Sequence, residues 1–124
     1  MRLGATTPIL RMFDAQKARE FYLEFLGFEL RWEHRFTEDL PLYMEIGRDG
    51  CVLHLSEHHG DGTPGTTIRV EVEDIADYHR SLLAKAYRFA RPGLEETPWQ
   101  TREFCLTDPF GNGLRFFERL PANR

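Results

Sequence analysis

A chain of 124 residues fits one domain, because dividing it would leave neither part enough apolar surface for a core of its own. Its 41% hydrophobic and 29% charged residues are the balance of a globular protein rather than a disordered one. The net charge of −4, with Lys and Arg scattered among acids, speaks against nucleic acid as a partner and suits a cationic small molecule better. The opening Met1-Arg2-Leu3-Gly4 runs on to Thr6, Thr7 and Pro8 without an apolar leader, and no later run reaches the about 18 apolar residues of a membrane span. A cytoplasmic protein without membrane contact is expected.

Residues 6 to 12 alternate around Pro8 and predict a first strand, with Pro8 at its start or at a sheet edge because it has no N–H to donate. Asp14 is placed to cap a helix of about three turns, in which Ala18, Phe21, Tyr22, Phe25 and Leu26 make one apolar face and Gly27 supplies the stop. Strands follow over Phe28 to Phe36, Leu40 to Ile46 and Cys51 to Ser56, with a tight hairpin at Gly47-Arg48-Asp49-Gly50. The polar, glycine-rich stretch Glu57 to Gly65 reads as a flexible loop between two halves.

The order of elements then repeats. Thr66 to Glu73 alternates as a half-buried strand, with Ile68, Val70 and Val72 on one face. Asp74 is placed as the cap of a second helix whose apolar positions are Ile75, Tyr78, Leu82, Leu83 and Ala86. Arg88 to Ala90, Arg102 to Thr107 and Gly113 to Glu118 predict further strands, the last two joined by the turn Asp108-Pro109-Phe110-Gly111-Asn112. Cys51 and Cys105 lie far apart in strand-like runs and are expected to be buried, unbridged hydrophobes. The expected fold is one α+β domain, residues 1–124, built of two βαβββ modules over about 5–57 and 66–119.

An Asp-capped first helix carrying Phe21-Tyr22 and ending Leu26-Gly27-Phe28, together with the closing turn Asp108 to Asn112, resembles the glyoxalase, bleomycin-resistance and dioxygenase (vicinal-oxygen-chelate) superfamily over roughly residues 5 to 118. Within it, Pro98-Trp99-Gln100-Thr101-Arg102-Glu103-Phe104 is similar to the Pro-Trp-Gly-Arg-Glu-Phe signature of the bleomycin-resistance proteins, with Gln100-Thr101 in place of the glycine. The resemblance implies a cleft-bearing curved mixed sheet and a strand-swapped homodimer, with the N-terminal strand crossing to the partner at Pro8. It implies interface clefts that sequester a bleomycin-like cationic drug by stacking and by acidic groups, with Trp32 flanking the drug and Trp99 stacking on its heteroaromatic tail. Arg69 departs from the pattern, standing where a comparable protein carries an aromatic.

The superfamily's enzymes take metal ligands from positions that here are Thr7, His54, Thr67 and Arg115. Only His54 is an ordinary ligand type and Arg115 would repel a cation, so no metal and no cofactor is expected. The candidate ligand-binding residues are Trp32, His54, Arg69, Glu71, Trp99 and Arg115. His54 reads first as a hydrogen-bonded wall residue, and Glu71 as a structural partner of Arg69 or Arg115. Phe36 and Tyr43 read as core or interface, and His34 and His79 show no visible partner. The loop pair His58 and His59 lacks the spacing to preset a metal site. Neither a phosphate-binding glycine loop nor a Ser or Cys nucleophile motif is present. The alternatives are a metal-dependent lyase or dioxygenase of the superfamily and a metabolite-binding member.

Overall fold

The computed structural model describes residues 1–87 and 90–121. The chain divides into two compact units, Met1–Thr66 and Thr67–Arg124, each carrying a four-stranded mixed sheet with few helices. In the first unit the strands are β1 (Ile9–Arg11), β2 (Glu29–His34), β3 (Tyr43–Arg48) and β4 (Cys51–Ser56), in the order β1-β4-β3-β2. β1 runs parallel to β4 and the other pairs are antiparallel. The sheet pattern holds for one residue beyond each end of β1: His54 N donates to Pro8 O (2.9 Å) and Met12 N to Ser56 O (2.9 Å).

The first helix starts where Asp14 predicts, its carboxylate accepting from the backbone of Gln16 and Lys17 at 2.9 and 3.1 Å. After one α-helical turn, α1 (Ala15–Ala18), it widens into a π-helical segment, Arg19–Phe25, closed by Leu26 N donating to Phe21 O at 2.9 Å. Two adjacent bulky pairs, Phe21-Tyr22 and Phe25-Leu26, account for the change. A wider spiral brings both members of each pair to the covered side, and all four are buried. Gly27 ends the segment at φ 81°, as its place predicts. With Leu10, Met44, Ile46, Leu53 and Leu55, these side chains make the unit's core.

The second unit holds β5 (Thr67–Glu71), α2 (Ile75–Ala84), β6 (Glu95–Glu96), β7 (Thr101–Thr107) and β8 (Gly113–Arg119), in sheet order β5-β8-β7-β6. Phe104 and Phe116 oppose each other in register and stack at 5.1 Å, with Tyr78 of α2 at 5.9 and 5.5 Å from the two rings. The turn into β8 is closed by Asp108, whose Oδ1 accepts from the backbone of Phe110 and Asn112 at 2.8 Å while Oδ2 accepts from Asn112 Nδ2 at 2.9 Å.

Several expectations need correction. Asp74 precedes α2 but its side chain makes no capping hydrogen bond. It sits at φ 56°, and Glu118 of β8 instead accepts from Asp74 N and Ile75 N at 3.0 and 3.1 Å. Leu83 is exposed although it lies within α2, and Ala86 is exposed because α2 ends at Ala84. Most of the strand expected at Arg88 to Ala90 falls outside the described residues, and β6 lies further on, at Glu95–Glu96. Cys105 is exposed rather than buried, since strand alternation turns it away from Phe104 and Leu106, and both cysteines are free. The loop 57–65 is tied down. Buried Ser56 donates to Asp61 and accepts from His58 N, and a Cβ at Gly62 (φ 68°) would meet Ile9 O at 2.9 Å.

Candidate functional site

In the first unit, pairing register sets Trp32, Glu45, His54 and Ile9 side by side across the four strands. A β-bulge decides which face carries Trp32. Leu30 opposes Ile46, yet Trp32 opposes Glu45, so Arg31 is the extra residue. Without it Trp32 would oppose buried Met44; with it the indole joins Glu45 on the open face, 44% exposed. Arg31 crosses Gly47, where a Cβ would come within 2.3 Å of its guanidinium carbon, and donates to Asp49 O at 3.3 Å.

Around Trp32 the rings interlock. Tyr43 stacks on it at 5.8 Å and 11°, and His54 meets it edge-on at 5.3 Å. His54 Nε2 lies 3.0 Å from Glu45 and Nδ1 lies 2.6 Å from the Tyr43 hydroxyl. A carboxylate at Nε2 holds the proton there, so Nδ1 accepts from Tyr43. Burial, then the charges of Asp61 and Glu45, raise the Tyr43 pKa, so its hydroxyl stays a donor.

In the second unit the open face carries Arg69, Arg115 and Cys105 as one cross-strand row and Glu71, Phe117 and Glu103 as the next. Glu103 is 9% exposed, and its Oε2 accepts from three donors: Thr101 Oγ1 at 2.7 Å, Arg69 Nη2 at 2.9 Å and Trp99 Nε1 at 3.1 Å. Burial opposes its ionisation. The Thr101 and Trp99 hydrogen bonds and the charges of Arg69 and Arg115 outweigh that, so its pKa lies below the ordinary glutamate value. The Arg69 guanidinium also covers the Phe117 ring at 4.0 Å. Trp99 itself is 63% exposed, a large flat ring standing in solvent with its one polar atom anchored.

The structure thus gathers Trp32 and His54 on one face, and Arg69, Trp99 and Arg115 on another. Glu71 pairs with Arg119 at 3.3 Å rather than with Arg69 or Arg115. Phe36 is exposed, not core, and packs edge-on against His34 at 4.6 Å. His79 does have a partner, Pro92 O at 2.7 Å. Sequence reasoning missed Glu45 and Glu103, although each is two residues beyond a residue of its own face, Tyr43 and Thr101. Of the positions that carry metal in superfamily enzymes, Thr7 lies ahead of β1, Arg115 is a cation, and both nitrogens of His54 are engaged. This donor set does not fit a divalent ion, and among the described residues no three His, Cys, Asp or Glu side chains gather to replace it.

The sequence matches the family described as glyoxalase superfamily protein over residues 1–123. The chain belongs to the glyoxalase superfamily. No curated protein matches it. Among solved structures it is similar to a glyoxalase-related enzyme from Clostridium phytofermentans (TM-score 0.76, 21% identity, 97% of this chain and 98% of that one). It is similar to the bleomycin resistance determinant encoded on the transposon Tn5 (0.73, 22%, 94% and 98%). It also resembles the bleomycin-binding protein of bleomycin-producing Streptomyces verticillus, solved with copper(II)-bleomycin (0.69, 25%, 94% and 96%). The two βαβββ units are therefore those of a glyoxalase-superfamily fold, and no helix is long and apolar enough to cross a membrane among the described residues.

Proposed function

We propose that the protein sequesters a flat, partly cationic small molecule of the bleomycin type, without altering it and without a metal or other cofactor. The observation that carries this reading is Trp99: an exposed indole anchored by its N–H, offering its faces for stacking. Trp32, stacked on Tyr43 beside Glu45, offers a second aromatic surface next to an acid. The Streptomyces verticillus protein, solved with copper(II)-bleomycin, supports the ligand class. Arg69 does not oppose it, because Glu103 neutralises the guanidinium. In this reading the chain is a single-domain cytoplasmic protein that works as a homodimer, with the segment before β1 crossing to the partner at Pro8. The exposure of Met1 and Leu3 supports that crossing.

A metabolite-binding role is the second reading. It is favoured by Arg115, which lies directly opposite Arg69 across β5 and β8: one Glu103 carboxylate beside two guanidiniums leaves a positive charge that suits an anionic group. Equilibrium dialysis against metal-free bleomycin, followed by mass analysis of the recovered drug, separates the readings. Retention of one intact molecule per subunit supports sequestration. A changed drug, or retention of none, contradicts it.

A further inference from the structure

We infer that Glu103 is a positioning residue for ligand binding, fixing the pose of the Trp99 ring through the indole N–H; this rests on the binding role proposed above. Trp99 belongs to the connection between β6 and β7 and, at 63% exposure, has little packing to hold it. Its single polar atom is spent on Glu103 Oε2.

The same oxygen is tied to both ends of that connection. Thr101 Oγ1 donates to it, and Thr101 is bound to Thr97 through a 2.7 Å hydroxyl contact and through Thr97 N donating to Thr101 O at 2.8 Å. The short span Thr97-Pro98-Trp99-Gln100-Thr101 is thus closed at its base and pinned at its middle by one carboxylate. That carboxylate is held from the far side by Arg69 of β5, whose guanidinium lies over Phe117 of β8. An indole so triangulated loses little further freedom when a flat ligand stacks on it, and that preorganisation is what lowers the cost of binding.

The test has two arms. In the first, Trp32→Phe leaves Trp99 as the sole tryptophan, and its fluorescence anisotropy decay is measured without ligand. Glu103→Ala is expected to free the indole, and Glu103→Gln, whose amide oxygen still accepts an N–H, to restore part of the order. Equal order in all three folded proteins would overturn the proposal.

The second arm is a double-mutant cycle with metal-free bleomycin, run in an Arg69→Gln background so that the guanidinium hydrogen-bonded to Glu103 is not left unpaired. Glu103→Ala and Trp99→Ala are each expected to weaken binding by about tenfold, and the double variant no more than Trp99→Ala alone. Full additivity would show that Glu103 acts otherwise and would overturn the proposal. If the parent protein binds no bleomycin, the drug-binding reading fails, while the anisotropy arm still decides what Glu103 does to Trp99.

Discussion

Three donors converge on one oxygen of Glu103, and its protonation state should be visible in stability. The groups facing it are Arg69 on β5, Arg115 and Phe117 on β8, Glu95 opposite it on β6, and Thr101 and Trp99. Its folded pKa lies below the unfolded value of about 4.3, so the stabilisation is complete above roughly pH 5 and is lost as pH falls through the folded value. The gap in melting temperature between wild type and Glu103→Gln should be wide at neutral pH and narrow towards pH 3; a constant gap would contradict this. Gln100, which with Thr101 stands in place of the glycine of the similar resistance-protein signature, lies at φ 65°. Gln100→Gly should remove left-handed strain of about 1 kcal/mol, partly offset by chain entropy, and chemical denaturation should show a small gain in stability rather than a loss.

At the scale of elements, α2 owes its N-terminal cap to Glu118, 43 to 44 residues away in sequence. Glu118→Ala should cost about 1 kcal/mol, whereas Asp74→Asn should change stability little, because Asn tolerates the left-handed conformation and no Asp74 cap exists to lose. Thermal unfolding of the two variants checks the contrast. Asp108→Ala should cost about 2 kcal/mol or more by orphaning the donors that close the turn into β8.

What was legible in the sequence divides along the same line. The Asp14 cap, the Gly27 stop and the Asp108 turn act within a few residues and could be placed from spacing alone. The Glu118 cap, the Arg31 bulge and the π widening at Arg19–Phe25 depend on cross-strand register or on how the core fills, which periodicity does not record. Trp32, His54, Trp99 and Arg69 were found as candidates, but Glu45 and Glu103, which tie them together, are ordinary strand acids until pairing is known.

For the molecule as a whole, the proposed homodimer predicts a solution mass of twice the 14.6 kDa chain by light scattering, and a monomer would reject the crossing at Pro8. The central claim is that an anchored, exposed Trp99 serves to hold a flat ligand, and calorimetric titration with metal-free and copper-loaded bleomycin tests it most directly. The account predicts one drug per subunit at submicromolar strength, weakened about tenfold or more in Trp99→Ala, the loss of about 1.4 kcal/mol expected of a stacking contact. No binding near the solubility limit, or equal binding by the Trp99→Ala variant, would contradict it.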